Sequence, residues 1–298
     1  MDKDILAFKE TCLKRWTQST KLDKRLNAFN DNFIQWFGQI PEKYKEIVLV
    51  LLRHLEYFPR KKVNEYLEEL HTRLLDNKNV TDENTVYAFI KSEDGKTNSS
   101  NDYWTEYKRI NELNKNICFE NLDAITCEQW PYIDNIVFID DFSGSGGSLI
   151  KELKKKIDIY KGKNIYLITI GMMKQGKAEL ERFAEEKDIN IFFLTICSYR
   201  KAFESHFFDK DDDARSKIYA MSKSFIIPSN NILGFKDSQS LIAFHNNTPN
   251  NTLGFIWNDT DQYNSLFPRR NDPKPNWQNM KKDKRNRKAT NYYNRKGY

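Results

Sequence analysis

Residues 140–148 read Asp140-Asp141-Phe142-Ser143-Gly144-Ser145-Gly146-Gly147-Ser148, two adjacent carboxylates followed by a loop built almost wholly of Ser and Gly. A Ser/Gly loop that enters a helix offers unblocked backbone N–H groups, hydroxyl donors and the positive end of the helix dipole, and that combination holds a phosphate. Two carboxylates beside it repel phosphate oxygens, so they must face something that donates hydrogen bonds or carries a cation. A ribose diol, with or without Mg²⁺, meets that requirement. One ligand carrying a 5′-phosphate, a ribose diol and a Mg²⁺-bound pyrophosphate is phosphoribosyl pyrophosphate (PRPP).

The flanking residues supply the elements that would position these groups. Ile136-Val137-Phe138-Ile139 is the pattern of a strand buried on both faces of a parallel sheet, expected to end at the aspartates. After the loop, Leu149, Ile150, Leu153 and Ile157 form the apolar stripe of a helix, with Lys151, Glu152, Lys154 and Lys155 around it. Ligands of open α/β sheets lie beyond the carboxyl ends of the strands, where this loop would sit.

The whole stretch resembles the PRPP-binding motif of type I phosphoribosyltransferases: a hydrophobic strand, two acids, two variable residues, then a small-residue loop ending in Ser or Thr. The resemblance implies that Asp140 and Asp141 hold the ribose hydroxyls. It also implies that the loop Ser143, Gly144, Ser145, Gly146, Gly147 and Ser148 wraps the 5′-phosphate, with Mg²⁺ arriving on the ligand rather than on a protein cage. One departure matters. Some purine enzymes of the family carry a catalytic acid where this chain has Gly144, so no catalytic residue is assigned.

Other chemistries fit less well. No G-x-G-x-x-G can be written through Gly144, Gly146 and Gly147, which argues against NAD. Gly95-Lys96-Thr97 would complete an ATPase phosphate loop only with glycine at position 90, which is Ile90. Cys12, Cys118, Cys127 and Cys197 are scattered, and His54, His71, His206 and His245 lack metal-ligand spacing, so structural zinc and a disulfide frame are not expected. No apolar run reaches membrane-spanning length and the first residues lack a signal peptide's apolar region, so a cytoplasmic protein without membrane contact is expected.

In chain order, residues 1–80 read as a helical N-terminal domain, with stripes through Phe8, Cys12 and Trp16, through Leu26, Phe29, Phe33 and Phe37, and through Val63, Tyr66, Leu67, Leu70 and Leu74. From Thr85 the period changes. Residues 86–90 form a strand, followed by a polar loop and a helix through Tyr103, Tyr107 and Ile110. In type I phosphoribosyltransferases the loop after the first core strand contacts pyrophosphate, so the resemblance makes Lys91, Ser92, Lys96, Ser99 and Ser100 candidates. Residues 164–171 and 190–197 are two further strands with a helix at 177–187 between them, which predicts a parallel, Rossmann-like α/β sheet. The acidic run at 209–213 reads as a solvated charge cluster.

A second distinctive segment, 233–257, reads as a strand, an Asx-type turn around Pro249, and an apolar strand. Its asparagines Asn246, Asn247, Asn250 and Asn251 would either read a base edge or cap neighbouring loops. With Leu266-Phe267-Pro268-Arg269, this segment resembles the phosphoribosyltransferase-like proteins of bacterial conflict systems, some of which accompany retron reverse transcriptases in anti-phage defence. The likeness covers residues 81–269. Residues 270–298 read as a flexible basic tail. Within it, residues 281–298 carry Lys281, Lys282, Lys284, Arg285, Arg287, Lys288, Arg295 and Lys296 against Asp283, a net +7, leaving −1 for residues 1–280. With its interleaved tyrosines it suggests contact with nucleic acid, or with a reverse transcriptase–nucleic acid complex, against the plainer reading of a solubilising tail. The favoured function is therefore a PRPP- or nucleotide-binding transferase acting on nucleotides in defence. The alternative is a catalytically inactive sensor or scaffold, because little chain separates the first core strand from Ile136 and a long catalytic loop would not fit.

Overall fold

Apolar residues at helical spacing build four N-terminal helices in the computed structural model, which describes residues 2–92, 98–208 and 213–269: α1 (Asp2–Trp16), α2 (Lys24–Gly38), α3 (Glu42–His54) and, after a short strand β1 (Glu56–Phe58), α4 (Arg60–Leu75). Asp23 caps α2, its Oδ1 accepting from the N–H groups of Arg25 at 3.0 Å and Leu26 at 2.9 Å. The next elements are β2 (Thr85–Phe89), α5 (Ser99–Ile110), β3 (Cys118–Phe119), β4 (Asn135–Ser143), α6 (Gly147–Lys154) and α7 (Ile157–Tyr160). They are followed by β5 (Asn164–Met173), α8 (Lys174–Lys187), β6 (Asn190–Tyr199), α9 (Ala214–Ser224), α10 (Ser229–Ile232), β7 (Ile242–Phe244) and α11 (Gly254–Trp257).

The central sheet has five strands in the order β3-β2-β4-β5-β6, all parallel. Counted along the chain from β2, that order is 2-1-3-4-5, a doubly wound, Rossmann-like α/β arrangement. Its order reverses between β2 and β4, and such a reversal opens a crevice at the strands' carboxyl ends. Strand lengths deepen this one. Pairing of β4 with β2 stops at Ile139↔Phe89, whereas its pairing with β5 continues to Ser143↔Met172. From Asp140 onward β4 has a neighbour on one side only. The expected strand end at Asp141 is thus corrected: the aspartates lie inside the strand, which the long β5 carries to Ser143.

Alternation along β4 fills both faces of the sheet. Val137 and Ile139 pack with Leu67, Leu70 and Leu74 of α4 and with Tyr103 and Tyr107 of α5. Ile136 and Phe138 pack with Leu149 and Leu153 of α6 and with Leu180 and Phe183 of α8. The remaining N-terminal helices do not close a core of their own. Trp16, Phe29, Phe33 and Leu51 share one cluster with Ile218, Met221, Phe255, Ile256, Tyr263 and Phe267 from the far end of the chain. The two-stranded parallel pair β1–β7 stands between the cores, Phe58, Ile242 and Phe244 facing one and Tyr57 and Ala243 the other. Residues before and after position 80 thus contribute to both cores.

A second correction concerns Leu253–Trp257, expected as a strand and found as the short helix α11, fully buried. A short apolar run looks the same in either state when it is buried on all sides. Here the indole N–H of Trp257 donates to the Thr252 carbonyl at 2.7 Å.

Candidate functional site

The groove beyond the short edge of β2 is a cleft of about 330 Å³ lined by Ile90, Lys91 and Ser92, by Asn98 to Ser100, by Asp140 and Asp141, and by Asn247 and Pro249 to Asn251. Next to it, a cavity of about 230 Å³ is enclosed by Ser143 to Leu149, Asn250, Asn251 and Phe235. Hollows of similar size occur beside Glu181–Phe192 and beside Asn79 and Asn84. The crevice at the strand reversal differs from them in setting two adjacent carboxylates beside a Ser/Gly loop at a helix head.

The diacid forms the floor. Asp141 is buried and Asp140 half-buried, and the Asp141 N–H donates to Asp140 Oδ1 at 3.0 Å. Burial, and after it the neighbouring Asp141 charge, pushes the Asp140 carboxyl well above the usual carboxylate range. The cleft thus presents one carboxyl of raised proton affinity beside a buried partner, a pair suited to a ligand that donates hydrogen bonds or brings positive charge. Arg269 closes one side. Its guanidinium donates to the Thr248 carbonyl at 2.8 Å, burial lowers its proton affinity, and the Asp141 carboxylate opposes that.

The loop is shaped by close approaches. Gly146 caps α6 with φ +69°, where a Cβ would stand 2.7 Å from Leu180 Cγ and 2.9 Å from the Gly176 carbonyl. A Cβ on Gly144 would stand 2.1 Å from the Asn251 side-chain nitrogen. Asn251 is itself fixed, its Nδ2 donating to Ser238 Oγ at 3.2 Å while its carbonyl accepts from Ser238 Oγ at 2.9 Å and from the Ser240 N–H at 3.0 Å. The space in which a side chain at position 144 would lie is thus taken by an asparagine from the C-terminal segment.

Of the residues expected from sequence, the described structure gathers Asp140, Asp141, Ser143 to Ser148, Lys91, Ser92, Ser99, Ser100, Asn247, Asn250 and Asn251 around the two neighbouring spaces. Asn246 is not among the lining residues, and its Oδ1 accepts from the Tyr103 hydroxyl at 3.4 Å. Ser100 lines the cleft with its hydroxyl already engaged, accepting from the Ile90 N–H at 2.9 Å and donating to the Ile139 carbonyl. It ties the end of β2 to β4. Lys96 and the basic tail lie outside the described residues. Sequence reasoning missed Arg269, Lys151 and Lys155. Ser148 and Lys151 of α6 and Lys155 just past its end stand at helical spacing, a legible signal, whereas Arg269 reaches the cleft only through tertiary packing.

Among the described residues no helix is long and apolar enough to cross a membrane, and no three His, Cys, Asp or Glu side chains gather as a metal cage. A model of the PRTase-CE family matches residues 31–269. Among solved structures, the chain is similar to the Helicobacter pylori xanthine-guanine-hypoxanthine phosphoribosyltransferase, at 13% identity and a TM-score of 0.32, over 49% of this chain and 84% of that one. No curated protein matches the chain.

Proposed function

The chain belongs to the PRTase-CE family, and from that membership we propose that its crevice binds a phosphoribosyl ligand, PRPP or a nucleotide 5′-phosphate, for chemistry on nucleotides in anti-phage defence of the retron type. The observation that carries the reading is the meeting, across one crevice, of a diacid and a Ser/Gly loop at the head of α6. The loop's N–H groups and hydroxyls supply the phosphate contacts. Asp140 and Asp141 accept from the ribose hydroxyls, and Lys91 and Arg269 flank them with positive charge. The donor set fits Mg²⁺ that arrives on the ligand: among the described residues no third His, Cys, Asp or Glu joins the two carboxylates, and such a pair suits an ion that keeps substrate oxygens and waters. That ion would neutralise charge developing on departing pyrophosphate. The loop at the head of α6 would keep the ribose phosphate oriented.

A second reading, a nucleotide-binding sensor without transfer activity, is favoured by Gly144, where Asn251 leaves no room for a catalytic acid. One experiment separates them. The full-length protein is incubated with PRPP, Mg²⁺ and a panel of bases and nucleotides, and pyrophosphate release is followed beside binding. Binding with release supports the transferase, and binding without release supports the sensor. No binding of PRPP, ribose 5-phosphate or any nucleoside monophosphate would sink both.

A further inference from the structure

Gly234, Lys236, Asp237 and Gln239 all have positive φ, of +76°, +54°, +56° and +51°. Three of them carry side chains, and such residues persist in the left-handed region only where their surroundings over-determine them; they cluster at ligand clamps and active sites. The surroundings here are explicit. The Asp237 carboxylate is held by Arg215 at 3.3 Å and Lys201 at 3.4 Å, and accepts from the Gln239 amide at 3.1 Å. Gln239 accepts through Oε1 from the Phe203 N–H at 3.1 Å, Ser238 Oγ donates to the Asn251 carbonyl, and the Phe235 N–H donates to the Asn250 carbonyl at 2.8 Å.

This pinning aims two side chains at the phosphate loop. Phe235 is a wall of the loop cavity. The exposed Lys236 brings its Nζ to 3.6 Å from the point a Cβ would occupy on Gly147, the first residue of α6. Among the described residues Lys236 makes no ion pair, its neighbour being the Phe235 ring at 5.8 Å. An exposed lysine without a carboxylate partner, standing beside this loop, leaves its charge available to an anion.

Resting on the crevice reading above, we infer that Lys236 is a phosphate clamp: it closes over the loop from the C-terminal segment and supplies the full positive charge that the loop of residues 143–148 lacks, selecting a terminal phosphate monoester. The left-handed backbone at Lys236 sets the direction in which its side chain leaves the chain.

The test titrates full-length wild type, Lys236→Gln, Lys236→Arg and Lys236→Gly with ribose 5-phosphate at two salt concentrations, beside thermal melts without ligand. A charge-assisted contact at a partly solvated site corresponds to about a tenfold change in dissociation constant. Lys236→Gln is expected to weaken ribose 5-phosphate about tenfold and to flatten the salt dependence. Lys236→Arg should recover most of the affinity. Lys236→Gly should weaken binding equally and melt no lower than wild type, because glycine tolerates this φ. Wild-type affinity and salt slope in both Lys236→Gln and Lys236→Gly would overturn the clamp while leaving the crevice reading standing. A wild type that binds neither ribose 5-phosphate nor PRPP would overturn the crevice reading and the clamp with it.

Discussion

Replacing Gly144 by alanine tests why the loop lacks a side chain at the position where some related purine enzymes carry an acid. Gly144 does not sit in the left-handed region among the glycines of positive φ, so the reason is space and not conformation. The added Cβ would lie 2.1 Å from Asn251 Nδ2 and 2.2 Å from its Cγ, far inside contact distance. Asn251 must therefore leave its place, breaking its bond to Ser238 Oγ. Overpacking a filled site costs about 1–3 kcal/mol and a lost buried hydrogen bond about 1 kcal/mol, so Gly144→Ala should cost roughly 2–4 kcal/mol. Truncating the obstacle removes the clash, and in an Asn251→Ala background the same change should cost under about 1 kcal/mol, a coupling of about 2 kcal/mol. The assay is urea unfolding of wild type, the two single variants and the double variant. A Gly144→Ala protein within about 0.5 kcal/mol of wild type, or single-variant costs that simply add in the double, would refute the packing argument.

Three further outcomes are expected. Asp140 holds its proton more tightly folded than unfolded, so its ionisation destabilises the fold as pH rises from the ordinary carboxylate range, near about 4, toward its raised value. Asp140→Asn should therefore melt higher than wild type at pH 7, the gain shrinking as pH is lowered toward that range; a gain that grows on acidification would reverse the sign of the account. Arg25 donates to the carbonyls of Phe244 at 3.0 Å and Pro268 at 3.2 Å and to Thr248 Oγ1 at 2.6 Å, and so ties α2 to the C-terminal segment. Arg25→Ala should cost about 2–4 kcal/mol by urea unfolding, and a loss under about 0.5 kcal/mol would show the tie to be idle. For the tail, a chain ending at Asn279 should lose most affinity for single-stranded nucleic acid and most of its salt dependence, since residues 281–298 carry +7 against −1 elsewhere; unchanged binding and slope would remove the tail from recognition.

What was legible in the sequence is what local pattern dictates. Ile136 to Ile139 and the apolar runs from Asn164 and Asn190 are strands because uninterrupted apolar residues mark a sheet covered on both faces. The loop was legible because Ser and Gly at the head of a helix leave its N–H groups open. Tertiary placement was not. That β4 runs past its aspartates depends on the length of β5, and that Leu253–Trp257 coils instead of extending depends on burial from every side. The sharing of one core by α1 to α3 and residues 202–267 is invisible to periodicity, which shows that a face is buried but not against what. Gly144 is the instructive case. Its missing side chain was evident, whereas the reason for it lies with Asn251, more than a hundred residues later.

The central claim, that the diacid and the Ser/Gly loop hold one phosphoribosyl ligand, is tested most directly by calorimetric titration of PRPP with Mg²⁺ into wild type, Asp140→Asn and Asp141→Asn. Hydrogen bonds to charged groups contribute about 1.5–3 kcal/mol, so each variant should bind roughly ten- to a hundredfold more weakly. Thermal melts without ligand should place Asp140→Asn at or above wild type, showing that folding is not what was lost. Wild-type affinity in both variants, or a wild type that does not bind PRPP, would contradict the account.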